Sequence, residues 1–560
     1  MSVFIGYPSF MAYQMMKGKK GNNDDFPSIP GMIARYSASG LTNEQMAANP
    51  VWVDKTGNGH DLQMKNFAWK EGSGISDVYL GALVFDGVDD YGVCDNFPIL
   101  TKEKGYTVVA LRQRISMGEI AQGLVSNVKN WLKDGAFLLE YRDIQAEHLN
   151  KPISFGAIGS EMDLPHILTY QTSKSYNGVS ITTGNFEGTD VLHVGKLAPI
   201  KVGTCINAAI WELVFLDHDA TEEELTKIKD YFVKTYPWLF PDQAWTVTGK
   251  TNEDEDRATI ANITGNGNDL VLSNFGFAEG SGYGLYAENY NGGRWVKSTD
   301  RADITWTSYS VNVTSVKIAS TQLYYQSYPE QPSFTVPSYV IKVYGLKDGQ
   351  TLSYKQVTSE GQQIYKISED GIYTLPSFLF IANGNWYGFT LNKVQESCDI
   401  TIEQIPEYEG YLVTDGVDDK IDSSAFKMGE DFTVVGEWKL LPVSNYSYAG
   451  IIKTNNLYVY NNASIGISIY VCSSGVRNDM EGLKSLKAIC SDGRVYGEDW
   501  TEYKLSIGRT KGAQSSLYLG YNSKAYTKMI FKNLGIYNNQ ILSKDDCIKA
   551  YNYLQTLKAK

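Results

Sequence analysis

The chain has little of what metal-dependent enzymes and nucleic-acid-binding proteins concentrate. Its 560 residues include only 5 histidines and 6 cysteines, and the cysteines (Cys94, Cys205, Cys398, Cys472, Cys490, Cys547) stand singly with no C-x-x-C pair. That pattern fits neither a zinc module nor a dense disulfide framework, so reduced, buried thiols are expected. Positive charge is in deficit: 50 Lys and Arg against 63 Asp and Glu give a net charge of −13. Such a surface repels phosphate backbones, and nucleic acid is not an expected partner. No stretch approaches the roughly 18 continuous apolar residues of a membrane span, so no membrane partner is expected either. Residues 1–16 are apolar, but the basic residues Lys17, Lys19 and Lys20 follow that stretch instead of preceding it, the reverse of a secretory signal. The expectation is synthesis in a cytoplasm, with any release by another route such as cell lysis.

What the chain does have is tyrosine and glycine, 39 and 52 of them. Aromatic residues fit a half-buried pleated surface and glycine accepts φ > 0 in tight turns, so an all-β protein is expected. With 43% hydrophobic and 20% charged residues the composition is that of a globular protein. The length calls for several cores.

Internal repetition organises the chain. Thr56-Gly57-Asn58-Gly59-His60-Asp61-Leu62 matches Thr264-Gly265-Asn266-Gly267-Asn268-Asp269-Leu270, and both are followed by Asn-Phe and Glu-Gly-Ser-Gly. Leu83-Val84-Phe85-Asp86-Gly87-Val88-Asp89-Asp90 matches Leu412-Val413-Thr414-Asp415-Gly416-Val417-Asp418-Asp419, each leading to an aromatic-Thr-Val-Val run at Tyr106 or Phe432. A strand and helix close each copy, Ala209 to Tyr236 and Met529 to Leu557. The first two matches lie about 120 residues further apart in the second copy, enough for an inserted domain. Alternation in Tyr339-Val340-Ile341-Lys342-Val343-Tyr344 makes that insertion a small β-domain. The layout is therefore an N-terminal segment over 1–28, a sandwich over 29–240, a second sandwich from 241–290 and 407–560, and an inserted domain over 291–406. In Phe432 to Lys439 the apolar Phe432, Val434 and Trp438 share the core face. Thr221 with Glu224, and Ser543 with Asp546, place helix N-termini ahead of apolar residues at helical spacing.

Ile29-Pro30-Gly31-Met32-Ile33-Ala34-Arg35-Tyr36-Ser37, then Val51-Trp52-Val53-Asp54-Lys55-Thr56-Gly57-Asn58-Gly59, Phe85-Asp86-Gly87-Val88-Asp89-Asp90-Tyr91, and Trp211 to Tyr236 together resemble the concanavalin-A-like (laminin-G-like) jelly rolls of bacteria and their phages. The resemblance covers about two-thirds of the chain and implies two antiparallel β-sandwiches, each ending in a short helix. The second copy has Ala261-Asn262 in place of Val53-Asp54, so a more degenerate first strand is expected there. The overall layout resembles virion proteins of phages infecting gut Bacteroides, including the crAss-like group. That likeness implies a fibre or capsid-decoration protein on the virion surface, bound to other virion proteins, forming a homo-oligomer with a trimer favoured.

Fold alone does not set function. The two Asp-Gly-x-Asp-Asp segments, Asp86, Asp89 and Asp90, and Asp415, Asp418 and Asp419, offer hard oxygen ligands for calcium. Asp-Gly is equally a hairpin dipeptide whose neighbouring carboxylates satisfy turn N–H groups, and turn chemistry is the favoured reading. The acidic run Glu253 to Asp256 reads as a solvated loop. The chain has no Glu-x-Asp-x-x-Glu of a jelly-roll glycosidase, so no catalytic residue is nominated and no cofactor is expected beyond that calcium alternative. For glycan binding the candidates are Asn385, Trp386 and Tyr387 in an Asn-Gly-Asn-Trp-Tyr turn, and Trp131 beside Asn130: an aromatic face for a pyranose with amides for its hydroxyls. A core tryptophan is the competing reading. Phe4, Tyr7, Phe10 and Tyr13 on a polar, glycine-containing tether are the candidates for anchoring in a groove of another virion protein. The expected function is a non-enzymatic phage structural protein with host polysaccharide as a candidate ligand; the alternatives are a bacterial lectin or adhesin, or a carbohydrate-active enzyme without a recognisable motif.

Overall fold

The computed structural model describes residues 25–100, 105–116, 122–135, 138–140, 165–171, 187–196, 205–278, 280–285, 296–297, 303–306, 310–314, 321–326, 329–347, 349–392, 399–441, 449–454, 456–462, 466–471, 477–507, 513–522 and 525–559. Two compact units, Met1–Phe240 and Pro241–Lys560, account for the chain. The fold is all-β: two antiparallel β-sandwiches, the second carrying an inserted β-domain and each ending in a helix.

In the first unit the strand Asn207–Leu216 organises one sheet. It pairs with Thr107–Ser116 on one side, and on the other with Leu83–Asp86 along its first half and Met32–Ser37 along its second. The facing sheet runs in the order Val51–Trp52, Leu62–Lys65, Tyr91–Cys94, Glu187–Val194, Gly123–Gly135, Leu138–Glu140. Alternate side chains meet between the two sheets, Tyr36, Phe85, Val108 and Phe215 from one and Trp52, Leu62, Met64 and Val194 from the other. Burying each large apolar side chain contributes about 1.5–3 kcal/mol, which makes this layer the main stabilising element.

The second unit repeats the arrangement. Met529–Asn538 pairs with Phe432–Leu440, with Glu407–Val413 and with Gln243–Thr246. Phe432, Val434 and Trp438 enter its core, as their alternation requires. Even the irregularities recur. Thr107–Ser116 slips by one residue between Ile210 and Glu212, and Phe432–Leu440 slips between Phe531 and Asn533, so Trp211 and Lys532 are the extra residues of matching β-bulges.

The first strand of the second copy is not degenerate, contrary to the expectation from Asn262. The Asp54 side chain accepts the Arg35 and Thr56 N–H groups at 3.1 and 3.0 Å, and Asn262 Oδ1 accepts those of Ala244 and Thr264, both at 3.2 Å. The amide keeps the one oxygen the turn requires and spends its N–H on Gly267 and Gln243.

Both terminal helices follow their caps. Thr221 Oγ1 accepts the Glu224 N–H while Glu224 reaches back to the Thr221 N–H, opening the helix Glu222–Thr235, which buries Leu225, Ile228 and Phe232. Ser543 caps Lys544–Thr556 through the Asp546 N–H. Between Leu285 and Glu407 the chain leaves the second sandwich and builds two five-stranded antiparallel sheets around a core of its own, including Ile341, Tyr354, Tyr387 and Phe389. Among the described residues no helix is long and apolar enough to cross a membrane.

Candidate functional site

Each Asp-Gly-x-Asp-Asp segment closes a turn by the same bonds. Asp86 Oδ1 accepts the Val88 and Asp89 N–H groups at 2.8 and 3.2 Å, and Asp90 Oδ2 accepts the Asp86 N–H at 3.1 Å. In the second copy Asp415 Oδ1 accepts from Val417 and Asp418, and Asp419 Oδ2 from Asp415, at 2.7, 3.3 and 2.7 Å. The carboxylates of each triad lie within 4.8 Å of one another, a spacing a cation tolerates. The turn nevertheless uses the inward oxygens already, leaving Asp89 and Asp418 as the exposed members. Asp90 and Asp419 lie under the turn against Ser73 and Ser281, and burial pushes each carboxyl up to about 7, with the neighbouring aspartates adding to it. A carboxyl that retains its proton near neutrality is a poor calcium ligand.

In the inserted domain the aromatic pair divides by strand parity. Tyr387 is fully buried among Phe334, Phe378 and Phe380, so its ring is not available to a sugar, a correction to the expectation from sequence. Trp386 is half-buried with the Lys355 ammonium 3.8 Å from its ring centre, which occupies one face. Asn385 turns its amide onto the Ile381 and Ala382 carbonyls, both at 3.0 Å, and closes the turn. The Trp131 side chain and all of Phe4, Tyr7, Phe10 and Tyr13 lie outside the described residues. Within the segment 1–28, Phe26 packs edge-on against Tyr231 at 4.7 Å and under the Arg35 guanidinium at 4.1 Å, and Asp25 pairs with Lys234 at 3.3 Å. The end of that segment is therefore fixed to the first sandwich.

A different place gathers the chemistry a glycan needs. A cleft of about 260 Å³ opens on the second sandwich, where Tyr408 and Tyr411 of Glu407–Val413, Glu437 and Lys439 of Phe432–Leu440, and Tyr551 of the last helix converge. Ser485, Lys487 and Glu498 close its other side. The bulge at Lys532 shapes it: strand alternation turns Trp438 into the core and Glu437 and Lys439 out into the cleft. Gly436 makes the close approach, since a Cβ there would lie 2.5 Å from the Asn533 carbonyl oxygen.

The polar groups of the cleft are held in place. Tyr411 donates its hydroxyl to Glu437 Oε1 at 2.5 Å, and the Lys532 ammonium lies 3.9 Å from Glu437 Oε2 and 5.3 Å from the Tyr411 ring centre. Glu498 accepts from Ser485 at 3.3 Å and faces Lys439 at 3.8 Å. Burial and then the Glu437 carboxylate raise the Tyr411 hydroxyl well above its ordinary pKa, and the same two causes act on Tyr551. Both phenols stay protonated donors. The site thus offers ring faces, hydroxyl donors and carboxylate acceptors within one concavity, groups of the kind that can contact a pyranose.

Register locates the corresponding positions in the first copy. Ala82 stands where Tyr411 is, Leu111 where Glu437 is, Trp211 where Lys532 is, and Lys229 where Tyr551 is. At these aligned positions the first copy does not repeat the residues that line the cleft. It escaped sequence reasoning because its residues are spread from 408 to 551 and only the register brings them together; the available signal was that the second copy replaces apolar residues with Tyr and Glu at aligned positions.

No family model matches the chain, and no curated protein does. Among solved structures it is similar to Trypanosoma rangeli sialidase in complex with sialic acid, at 8% identity and a TM-score of 0.21, over 45% of this chain and 62% of that one. A second structure of Trypanosoma rangeli sialidase has 9% identity and a TM-score of 0.19, over 53% and 68%. The NanB sialidase from Streptococcus pneumoniae in complex with 2-[(3-chlorobenzyl)ammonio]ethanesulfonate has 9% identity and a TM-score of 0.18, over 79% and 96%. The chain spans less than two-thirds of the first of these, and likeness at these TM-scores carries no argument about activity.

Proposed function

We propose that this chain is a non-enzymatic structural protein of a phage virion, a fibre or capsid-decoration protein, that binds host surface glycan through the cleft of its second sandwich. The observation that carries the glycan part is the convergence of Tyr408, Tyr411 and Tyr551 with Glu437 and Glu498 in one concavity, with Tyr411 and Glu437 standing where the first copy has the buried Ala82 and Leu111. The virion part rests on the resemblance of the layout to phage virion proteins. In this reading residues 1–24, with Phe4, Tyr7, Phe10 and Tyr13, dock on another virion protein, copies associate as a trimer, and the cleft faces outward. This reading assigns both aspartate triads to closing their turns and calls on no calcium, which the hydrogen bonds of the two turns support.

Titration calorimetry of the full chain against capsular and surface polysaccharides of gut Bacteroides tests the ligand. Binding that Tyr411→Ala or Tyr551→Ala weakens by about tenfold, at unchanged thermal midpoint, is the expected result. Binding untouched by both substitutions, or release of reducing ends from the polysaccharide, rules the reading out.

A further inference from the structure

The ions lining the cleft are not equivalent. Glu437 has Lys532 and Tyr411, and Glu498 has Lys439 and Ser485. Lys487 is the exception: no ion pair is found for it among the described residues, and its contacts are with aromatic rings. Its ammonium lies 4.8 Å from the Tyr551 ring centre and 5.3 Å from that of Trp500, two rings set 88° apart with centres separated by 5.6 Å. Asp499 precedes Trp500 and senses Lys487 only through space, since its carboxylate is taken up by the Thr501 N–H and hydroxyl at 3.0 and 2.7 Å.

An ammonium held in an aromatic corner is oriented by the ring faces but not neutralised by them. Half-buried at the wall of a concave site, it lacks the anion that would complete its coordination, while each carboxylate of the cleft already has a lysine of its own. Among the residues lining the cleft an anionic ligand therefore meets one cation without a contacting carboxylate, while Glu437 and Glu498 each face a lysine. By strand register the first copy has Leu168 at this position, so the charge belongs to the same set of replacements that built the cleft.

We infer that the cleft selects acidic saccharides, and that Lys487, fixed between Trp500 and Tyr551, pairs with the carboxylate of a uronic acid residue. The inference rests on the reading of the cleft as a glycan site. The sugar ring lies against the tyrosine faces, its hydroxyls reach Glu437 and Ser485, and the carboxylate points toward Lys487. Net charge opposes long-range attraction of such a ligand, so the selectivity is local and depends on this one cation.

The test uses the full chain and oligomers of galacturonate, glucuronate and mannuronate, each beside its methyl ester, with affinities measured by calorimetry. The acids are expected to bind about tenfold or more tightly than their esters, with an affinity that falls as salt is raised. Lys487→Met should remove that difference and leave ester binding unchanged, and Lys487→Arg should restore most of it. The wild-type comparison of acid with ester does not depend on any variant folding. Equal affinity for acid and ester, still weakened by Tyr411→Ala, overturns the acidic preference and leaves the glycan site standing. An acid preference that survives Lys487→Met overturns the assigned residue. No binding of acid or ester overturns both the inference and the site it rests on.

Discussion

The paired aspartates under the duplicated turns make stability depend on pH in a direction opposite to that of an ion-paired carboxylate. Asp90 and Asp419 are 0% and 1% exposed, and each titrates near about 7 in the folded protein against 3.8 for an unperturbed aspartate. Between those values the native state holds a proton that the unfolded chain has released, so folding is favoured at low pH. The contribution is complete below about pH 4 and is lost as pH rises through about 7. At 1.36 kcal/mol per pKa unit the penalty above pH 7 is about 4 kcal/mol per carboxyl as an upper limit. Asn keeps an oxygen acceptor for the Asp415 N–H in the same shape and carries no charge to desolvate. Asp419→Asn is therefore expected to match the wild type near pH 4 and exceed it by about 2–4 kcal/mol near pH 8, read from urea unfolding of the second unit. Asp90→Asn reports on the first unit in the same way, and Asp418→Asn, on the exposed neighbour, should leave the slope alone. Wild-type stability that is flat or rising from about pH 5 to 8, or an Asp419→Asn variant weaker than wild type at pH 8, would refute the protonated-turn argument.

Three further outcomes are expected. Millimolar calcium or its removal by chelator should leave both unfolding transitions in place; a calcium-dependent rise that Asp415→Asn abolishes would return the triads to metal binding. Gly282→Ala should destabilise the second sandwich by about 2 kcal/mol or more in denaturant unfolding, because its φ is +151° and a Cβ would lie 2.4 Å from Asn252 Oδ1, the atom that accepts the Tyr283 N–H; an effect below about 0.5 kcal/mol would show that the turn relaxes freely. Deleting residues 1–24 should leave a folded protein, judged by an unchanged thermal midpoint, that is absent from assembled particles; incorporation at normal occupancy would end the anchoring proposal.

How much was legible in the sequence follows from how local each signal was. The turns were readable because Thr-Gly-Asn-Gly and Asp-Gly-Val-Asp specify their own hydrogen bonds, and the atoms agree between copies: Asn66 donates to the Asp89 carbonyl at 2.9 Å and Asn274 to that of Asp418 at 3.0 Å. The helix starts were readable for the same reason. Tyr387 was misplaced because a turn-rich Asn-Gly-Asn was extended into an exposed platform, whereas the strand begins at Trp386 and alternation sends the next ring inward. The cleft was illegible in a stricter sense. Glu437 is unremarkable on its strand; only the bulge at Lys532 and the packing of the last helix bring it to Tyr411 and Tyr551, and neither is encoded within a few residues of it.

The insertion leaves and rejoins the second sandwich at one hydrogen-bonded strand pair, with Leu285 opposite Glu407. A segment that departs and returns at neighbouring positions adds no crossing and imposes no register on its host. Lengthening, exchanging or losing it changes the closure entropy only logarithmically, by roughly 0.6 kcal/mol for each doubling of length. The host frame is therefore indifferent to what it carries, while Tyr408 stands just past the return point at the rim of the cleft. In evolutionary terms this is a cassette joint. The inserted module is free to vary in sequence and length without refolding the domain that carries it, and grafting a foreign β-module between residues 286 and 406 is the corresponding opportunity in protein engineering.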